Sequence, residues 1–542
     1  MRSSAGNHCL LPPVYPETIP TTVNQTGSWR FLTPVRVEKT SPCRQLCPLE
    51  NGIPLWMNKV RDGDWEGAWS VIKQYNPFPA ITGYTCYQPC RQQCSRGAWD
   101  EAINIGAVEK AVGLWRHKNY GDKAASARDG LPQGRKRGSR KVAVVGSGPA
   151  GLSCAYYLNC LGAEVTVLEK LPLAGGLLAT GIPEYRLPRD ILQRELEILQ
   201  SEGVIIRTGL EVGKDIGLSD LEKSFDAVLL AVGAQESRPL KVPGEELPGV
   251  TGAVDFLAGV HLGKGKKNLG RVVVVGGGNA AVDAACTAML QGAEEVTLLY
   301  RRSAEELPAH PDEISAAREA GVNFLFQTVL REISGSGRVQ KIRTTRAAPS
   351  RRGETLQLLP GTDFEMECDF IIIAAGQESG LAKITSLSFS PEGVARNEKN
   401  AIFAAGDALH GAATVPKAIF SGRKAALLLA GVLWPEEQNG ELGGLIPPLS
   451  GKEEVVEFAA LNPYLFPRQG CFSSAQEEAG RCFSCGSCNN CGVCWLFCPD
   501  LAIDGGRGSF AILLDYCKGC GICVQECPAG ALVMEEVNPG GA

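Results

Sequence analysis

Histidine is scarce in this chain, at five of 542 residues. That leaves little scope for a catalytic or metal centre built from imidazoles. Long apolar runs are missing too. No stretch reaches the ~18 residues that a membrane-spanning helix needs, so no membrane partner is expected. Nor is there an excess of basic charge. Lys and Arg number 54 against 59 Asp and Glu, for a net charge of −5 and a pI near 5.8. No broad cationic surface follows, and no nucleic-acid partner is expected. The opening residues, MRSSAGNHCLLPPVYPETIP, are broken by prolines and hold no apolar core of signal-peptide length. A cytoplasmic location is the expectation. Hydrophobic residues at 44% and charged residues at 21% describe a globular chain, long enough for three or four domains of ~100–200 residues.

Cysteine and glycine are abundant, at 21 and 64 residues. Five cysteines lie between Cys43 and Cys94, and eleven between Cys471 and Cys527. A secreted disulfide protein would spread them through its domains. Cysteines every three or four residues instead point to metal binding in a reducing compartment.

Between residues 141 and 435, apolar strand runs alternate with helical patterns, which indicates α/β layers. KVAVVG, AEVTVLE, DAVLLAVG, RVVVVG, EVTLLYR and FIIIAAG are the clearest strands. The first strand runs into Gly146-Ser-Gly148-Pro149-Ala150-Gly151 and then into a helical segment. In this GxGxxG pattern Gly146 permits a tight turn, Gly148 lets a pyrophosphate approach the backbone, and Gly151 lets helix and strand pack closely. The helix N-terminus favours the anion. Glu169, 23 residues after Gly146, ends the next strand, where a carboxylate accepts from ribose hydroxyls. Gly176 is counted with this site.

A second turn, Gly276-Gly-Gly278-Asn279-Ala280-Ala281, follows about 130 residues later. Its second strand ends in Tyr300-Arg301-Arg302, without an acid. Arg301 and Arg302 suit a 2′-phosphate, so NADPH is expected over NADH. Two such turns suggest a nested pair, with a flavin in one domain and the nicotinamide in an inserted one. A later strand ends in Gly406-Asp407 before a helix. It resembles the closing segment of two-dinucleotide flavoproteins, in which Asp407 would contact the ribityl–phosphate side of FAD. Disulfide reduction is not expected. It needs neighbouring cysteines at the flavin, whereas Cys286 and Cys368 stand alone and Cys154 and Cys160 are six apart.

The tail repeats one spacing. Cys488-x2-Cys491-x2-Cys494-x3-Cys498-Pro499 recurs as Cys517-x2-Cys520-x2-Cys523-x3-Cys527-Pro528. This is the run of two-cluster bacterial ferredoxins, in which each run lends its fourth cysteine to the other cluster. Cys488, Cys491, Cys494 and Cys527 are expected to hold one 4Fe–4S cluster, and Cys517, Cys520, Cys523 and Cys498 the second. Cys482 and Cys485 extend the spacing upstream and allow a slipped register. Cys471 has no obvious partner.

Cys43-x3-Cys47-Pro48 and Cys86-x3-Cys90-x3-Cys94 are ambiguous by spacing alone between iron–sulfur and zinc. The stretches CPLENGIPLWMNKVRDGDWEGAW, NPFPAITGYTCYQPCRQQCSRG and INIGAVEKAV, with VVGSGPAGL, GIPEYRLP, GGGNAAVDAA and AAGDA, resemble the glutamate synthase small subunit. Related domains occur in dihydropyrimidine dehydrogenase and the electron-bifurcating transhydrogenase. The resemblance covers roughly residues 40–435, and the tail resembles members carrying a C-terminal ferredoxin module. It implies two N-terminal clusters, but the usual upstream CxxC pair is missing, so one cluster is expected to be lost. The resemblance gives the surviving 4Fe–4S cluster Cys47, Cys86 and Cys90, with Glu109 as fourth ligand and Cys43 and Cys94 as rivals.

The expected fold is multidomain: an α-helical N-terminal iron–sulfur domain, an α/β Rossmann-like flavoprotein core with two dinucleotide sites, and an α+β ferredoxin-like domain. The boundaries expected are 1–125 for the helical domain, 126–140 for a linker, 141–242 with 381–435 for FAD, 243–380 for NADPH, 436–480 for a linker and 481–542 for the ferredoxin domain. The leading reading is an NADPH:ferredoxin-type oxidoreductase. Its partner would be a ferredoxin or a larger redox subunit such as a 2-oxoacid oxidoreductase, in a hetero-oligomer. NADPH would stack on the flavin and deliver a hydride to it, and no acid–base side chain is named. The alternatives are the small subunit of glutamate synthase and a non-catalytic electron-wiring subunit.

Overall fold

The computed structural model describes residues 25–119, 140–395, 402–435, 455–458, 461, 466, 474–505 and 510–536. The expected linker 126–140 lies almost wholly outside these residues, as do most of 436–480 and all of Cys471.

Two parallel five-stranded sheets form the centre. The first has the order Ile402–Ala404, Ala227–Leu230, Lys141–Val145, Glu164–Glu169, Ile205–Thr208. Its strands are Val-, Leu- and Ala-rich because helices cover both faces of a parallel sheet. Helix Val415–Leu433 packs on helix Pro149–Cys160, and Ala150, Leu152, Ala426 and Leu429 share one core. Strand Ile402–Ala404 therefore returns to this sheet after the second unit has intervened. The second sheet has the order Asn323–Leu325, Ala293–Leu299, Gly270–Gly276, Phe370–Ala374, Val250–Gly252. The short strands Glu236–Ser237 and Gln377–Glu378 pair antiparallel, so the chain enters and leaves this unit side by side.

The N-terminal unit is helical. Asp64 starts helix Trp65–Tyr75 by accepting from the Gly67 N–H at 2.9 Å, a side-chain cap of the usual kind. Trp56, Trp69, Ile72 and Val108 fill its core. Two features depart from the sequence expectation. The expected helical domain 1–125 also holds a strand: Leu32–Arg36 pairs with Leu532–Glu536. Pro34 is tolerated because it lies on an edge strand. Within the expected second linker, Ala475–Gly480 is a helix, and Ala475 and Ala479 enter the N-terminal core beside Trp56 and Met57. The two ends of the chain are thus built into each other.

The C-terminal unit repeats itself. Helices Val493–Leu496 and Ile522–Gln525 each begin after a left-handed glycine, Gly492 and Gly521, both at φ +78°. Among the described residues no helix is long and apolar enough to cross a membrane.

Candidate functional site

Local backbone chemistry builds the first nucleotide turn. Gly146 has φ +103°, and a Cβ there would strike the Ala231 carbonyl oxygen. Gly151 is equally constrained, since its Cβ would strike the Gly146 carbonyl oxygen. Gly148 is different. Its φ of −71° suits any residue, and a Cβ would meet nothing within 4 Å. That open space lies at the N-terminus of helix Pro149–Cys160, where a pyrophosphate fits. Glu169 is buried; its Oε2 accepts from the Ser147 N–H at 3.0 Å and the Ser147 hydroxyl at 2.6 Å, and its Oε1 from the Leu171 N–H at 2.9 Å. Gly176, at φ +55°, passes so near Gly148 that a Cβ would lie 2.8 Å from the Gly148 Cα. Gly406, at φ +69°, leads into Asp407. Asp407 Oδ1 is buried without a hydrogen-bond partner, and burial pushes the carboxyl up to about 6. An orphaned buried acceptor is costly, and a ligand hydroxyl would satisfy it. These features fit FAD.

The second turn repeats the pattern. Gly276 has φ +152°, and Gly278, at φ −82°, has open space where its Cβ would be. Ala281 is fully buried. The Asn279 Oδ1 accepts from the His310 N–H at 2.9 Å. Arg301 is exposed. Arg302 is buried, with Nε donating to the Arg351 carbonyl at 3.1 Å and Nη2 to the Glu354 carbonyl at 3.2 Å. Its guanidinium therefore supports the loop at 351–354, whereas Arg301 faces solvent.

Both turns open on one cavity of about 830 Å³. Gly146, Gly148, Pro149, Ala150, Glu169, Gly176 and Asp407 line it from one side, and Asn279, Ala280 and Asp283 from the other. Among the described residues no cysteine lines it. Thr85 and Tyr87, the neighbours of Cys86, do.

Sequence reasoning missed a junction at the same cavity. Arg186, in the GIPEYRLP segment, donates to Asp283 Oδ2 at 2.6 Å and to the Tyr87 hydroxyl at 2.8 Å, and pairs with Glu313 at 2.7 Å. The Tyr87 hydroxyl donates to Glu313 at 2.8 Å, and the Tyr87 ring stacks on His310 with centroids 4.8 Å apart. Burial pushes Asp283 up to about 6, partly offset by Arg186. One arginine thus ties the N-terminal unit, the first sheet unit and the second together. The sequence signal was the segment GIPEYRLP itself, which carries the resemblance without giving its arginine a role.

The cysteines fall into sets. Cys488, Cys491, Cys494 and Cys527 line one small cavity, and Cys498, Cys517, Cys520 and Cys523 line another. The Ala502 and Ala531 N–H groups donate to Cys498 Sγ and Cys527 Sγ, both at 3.3 Å, as suits thiolate ligands. Cys482 and Cys485 line neither. In the N-terminal unit the charges of Glu109 and Cys47 both act on Cys86 and on Cys90. Burial pushes Cys47 up to about 11 and Cys86 up to about 12. Glu109 is buried and pushed up to about 7, its Oε1 accepting from Asn76 at 2.7 Å and Thr82 at 3.2 Å. Among the described residues no three His, Cys, Asp or Glu side chains draw together tightly enough for a single metal ion. Zinc, with Zn–S bonds of ~2.3 Å, would need the sulfurs in contact; thiols spaced around a void suit a cluster.

Comparison with known proteins agrees with this layout. Residues 140–422 match the pyridine nucleotide-disulphide oxidoreductase model, 37–120 the dihydropyrimidine dehydrogenase domain II 4Fe-4S model, and 510–533 a 4Fe-4S binding domain. The β subunit of the NADP(+)-dependent formate dehydrogenase of Moorella thermoacetica is 33% identical over 82% of this chain and 70% of its own. The β subunit of the NADPH-Fe(3+) oxidoreductase of Geobacter sulfurreducens is 39% identical over 64% of this chain and 52% of its own. The chain therefore spans only about half of that relative. The glutamate synthase [NADPH] small chain of Halomonas elongata is 33% identical over 71% of this chain and 86% of its own. With its paired glycine turns, its shared cavity and a matching model over more than half its length, the chain belongs to the pyridine nucleotide-disulphide oxidoreductase family.

Proposed function

We propose that this chain is an FAD-dependent NADPH oxidoreductase that exchanges electrons with a redox partner subunit through bound 4Fe–4S clusters. One observation carries the reading: both nucleotide turns and the two neighbours of Cys86 line a single cavity. Bound FAD would couple the two-electron chemistry of the nucleotide to the one-electron chemistry of clusters. The chain's own residues bind and orient. Gly148 and Gly278 admit pyrophosphates to two helix N-termini. Glu169 holds a ribose, Asp407 accepts from the flavin's ribityl side, and Arg301 meets the 2′-phosphate. Arg302 acts behind it by fixing the loop at 351–354. Among the described residues no dithiol lines the cavity, so the exit for electrons is the cysteine set beside it. Cys47, Cys86, Cys90 and Glu109 are the proposed ligands there. Cys488, Cys491, Cys494 and Cys527, and Cys517, Cys520, Cys523 and Cys498, are those of the tail. Cys491 and Cys520 are exposed, as are Trp495, Leu496 and Leu501. This is where a ferredoxin or larger partner would dock, in either direction of electron flow.

A second reading, the small chain of a glutamate synthase, is favoured by the match over 86% of such a chain. The additional unit at 474–536 favours the first. The test is reduction of a viologen, a one-electron acceptor, by the purified full-length protein. NADPH should support it far better than NADH. Cys86→Ser should cut it while flavin bleaching by NADPH persists. Unchanged viologen reduction in Cys86→Ser would overturn the proposed exit.

A further inference from the structure

Four thiols that the ferredoxin pattern does not use meet from opposite ends of the chain. Cys43 lies in helix Pro42–Leu46, and Cys94 precedes the turn Ser95–Ala98. Cys482 and Cys485 follow helix Ala475–Gly480. All four line one cavity, with Ile53, Met57 and Phe483 among its walls. Its volume, about 20 Å³, equals that of the cavity framed by Cys498, Cys517, Cys520 and Cys523. All four are free thiols. Cys94 and Cys482 pack against the core cluster that holds Cys43. Polar groups surround the sulfurs. Ser41 Oγ lies 3.2 Å from Cys43 Sγ and Ser95 Oγ 3.4 Å from Cys485 Sγ, while the Ser484 N–H donates to Cys482 Sγ at 3.5 Å.

The meeting is built rather than incidental. Arg96 and Arg481 are both buried. Arg96 donates to the Arg481 carbonyl at 2.7 Å, and Arg481 pairs with Glu478 at 2.8 Å and Asp100 at 3.2 Å. Glu478 accepts from the Asn104 N–H at 2.7 Å, and the Ser484 hydroxyl donates to Asn58 at 2.7 Å. Buried polar groups joined across the two segments in this way hold them in one register. The CxxC pair that is missing upstream of Cys43 in the sequence is thus supplied, in space, by Cys482 and Cys485.

We infer that Cys43, Cys94, Cys482 and Cys485 bind a fourth 4Fe–4S cluster, ligated half by the N-terminal unit and half by the far end of the chain. The expectation that a cluster had been lost is replaced by one of exchanged ligands. The place of this site also assigns it a role. Cys43 and Cys90 share one core cluster, with Cys47, Cys94 and Cys482 packed against it, so the site adjoins the proposed flavin-side set, and Cys485 is three residues from Cys488 of the ferredoxin set. The fourth cluster bridges them. One electron enters from a reduced flavin-side cluster, which is oxidised, and one leaves to an oxidised ferredoxin cluster, which is reduced; no proton moves with it. Only this bridging role rests on the reading that Cys47, Cys86 and Cys90 hold a cluster; the ligation does not.

The test is iron, sulfide and zinc content of the full-length protein after anaerobic reconstitution, with flavin content and melting as folding controls. At four irons per cluster, wild type should hold about 16. Cys482→Ser/Cys485→Ser and Cys43→Ser/Cys94→Ser should each hold about 12, and the quadruple variant no fewer, because all four residues serve one cluster. Cys47→Ser/Cys86→Ser should lose a different set of about four, which separates a failure of the flavin-side reading from a failure here. The cluster paramagnetic signals that survive in the Cys482/Cys485 variant should be those of three sites. Unchanged iron in that variant, additive losses in the quadruple variant, or stoichiometric zinc in place of the fourth cluster would each overturn the inference.

Discussion

Gly278→Ala separates nucleotide binding from folding. Gly278 has φ −82° and ψ 173°, open to any residue, and a Cβ there meets no protein atom within 4 Å. The fold should tolerate it. Melting should be unchanged or improved by ~0.4–1 kcal/mol, through lower entropy of the unfolded chain. The same Cβ occupies the space where a pyrophosphate would approach the N-terminus of helix Asn279–Leu290. A hydrogen bond to a charged group contributes ~1.5–3 kcal/mol. Losing two costs about 3–6 kcal/mol, or roughly 100- to 10,000-fold in NADPH affinity. FAD, on the other turn, should remain bound at wild-type content. Calorimetric NADPH titration and stopped-flow flavin bleaching read the two effects separately. Wild-type affinity in Gly278→Ala would refute the argument that this open space is nucleotide space.

Other outcomes follow from the same geometry. Asp407 sits at about 6 in the flavin-free cavity against an ordinary 3.8, so it costs that state stability as pH rises from 3.8 to about 6. A flavin hydroxyl donating to the carboxylate favours the anion, so FAD retention should strengthen as pH rises through about 6. Asp407→Asn should flatten that profile and weaken binding by roughly 10- to 100-fold, as measured by flavin release between pH 5 and 8. Arg301→Ala should raise the KM for NADPH and leave that for NADH unchanged. Arg302→Ala should lower the melting temperature and affect both nucleotides, because its guanidinium is spent on backbone carbonyls. Equal, NADPH-selective effects would contradict that division. Arg186→Ala leaves the buried Asp283 and the half-buried Glu313 without their cation and should cost up to ~3–5 kcal/mol, the loss deepening as pH rises and both ionise; a flat melt-versus-pH profile would count against it.

What could be read from the sequence was what neighbouring residues decide. Gly146, Gly148 and Gly151 carry their reasons within one turn, and the apolar strands show their burial in composition. The paired cysteine runs of the tail encode their crossed sets in spacing alone. What could not be read depends on contacts across hundreds of residues. Strand Leu32–Arg36 could not be read because its partner, Leu532–Glu536, lies about 500 residues further along the chain. Arg186 looked like one loop arginine until Asp283, Glu313 and Tyr87 closed around it. Cys482 and Cys485 looked like an upstream extension of the ferredoxin spacing, and only the docking of helix Ala475–Gly480 carries them to Cys43 and Cys94. Arg301 and Arg302 read as equivalent, and burial alone distinguishes them.

The central claim is that a two-electron nucleotide site feeds single-electron sites within this one chain. Anaerobic titration of the FAD- and iron-replete protein with NADPH tests it most directly, following flavin absorbance and cluster paramagnetism in the same samples. Bleaching of the flavin, the appearance of reduced-cluster signals, and uptake of more electrons than flavin alone can hold are expected. Bleaching that stops after one equivalent of NADPH, with every cluster still oxidised, would contradict it.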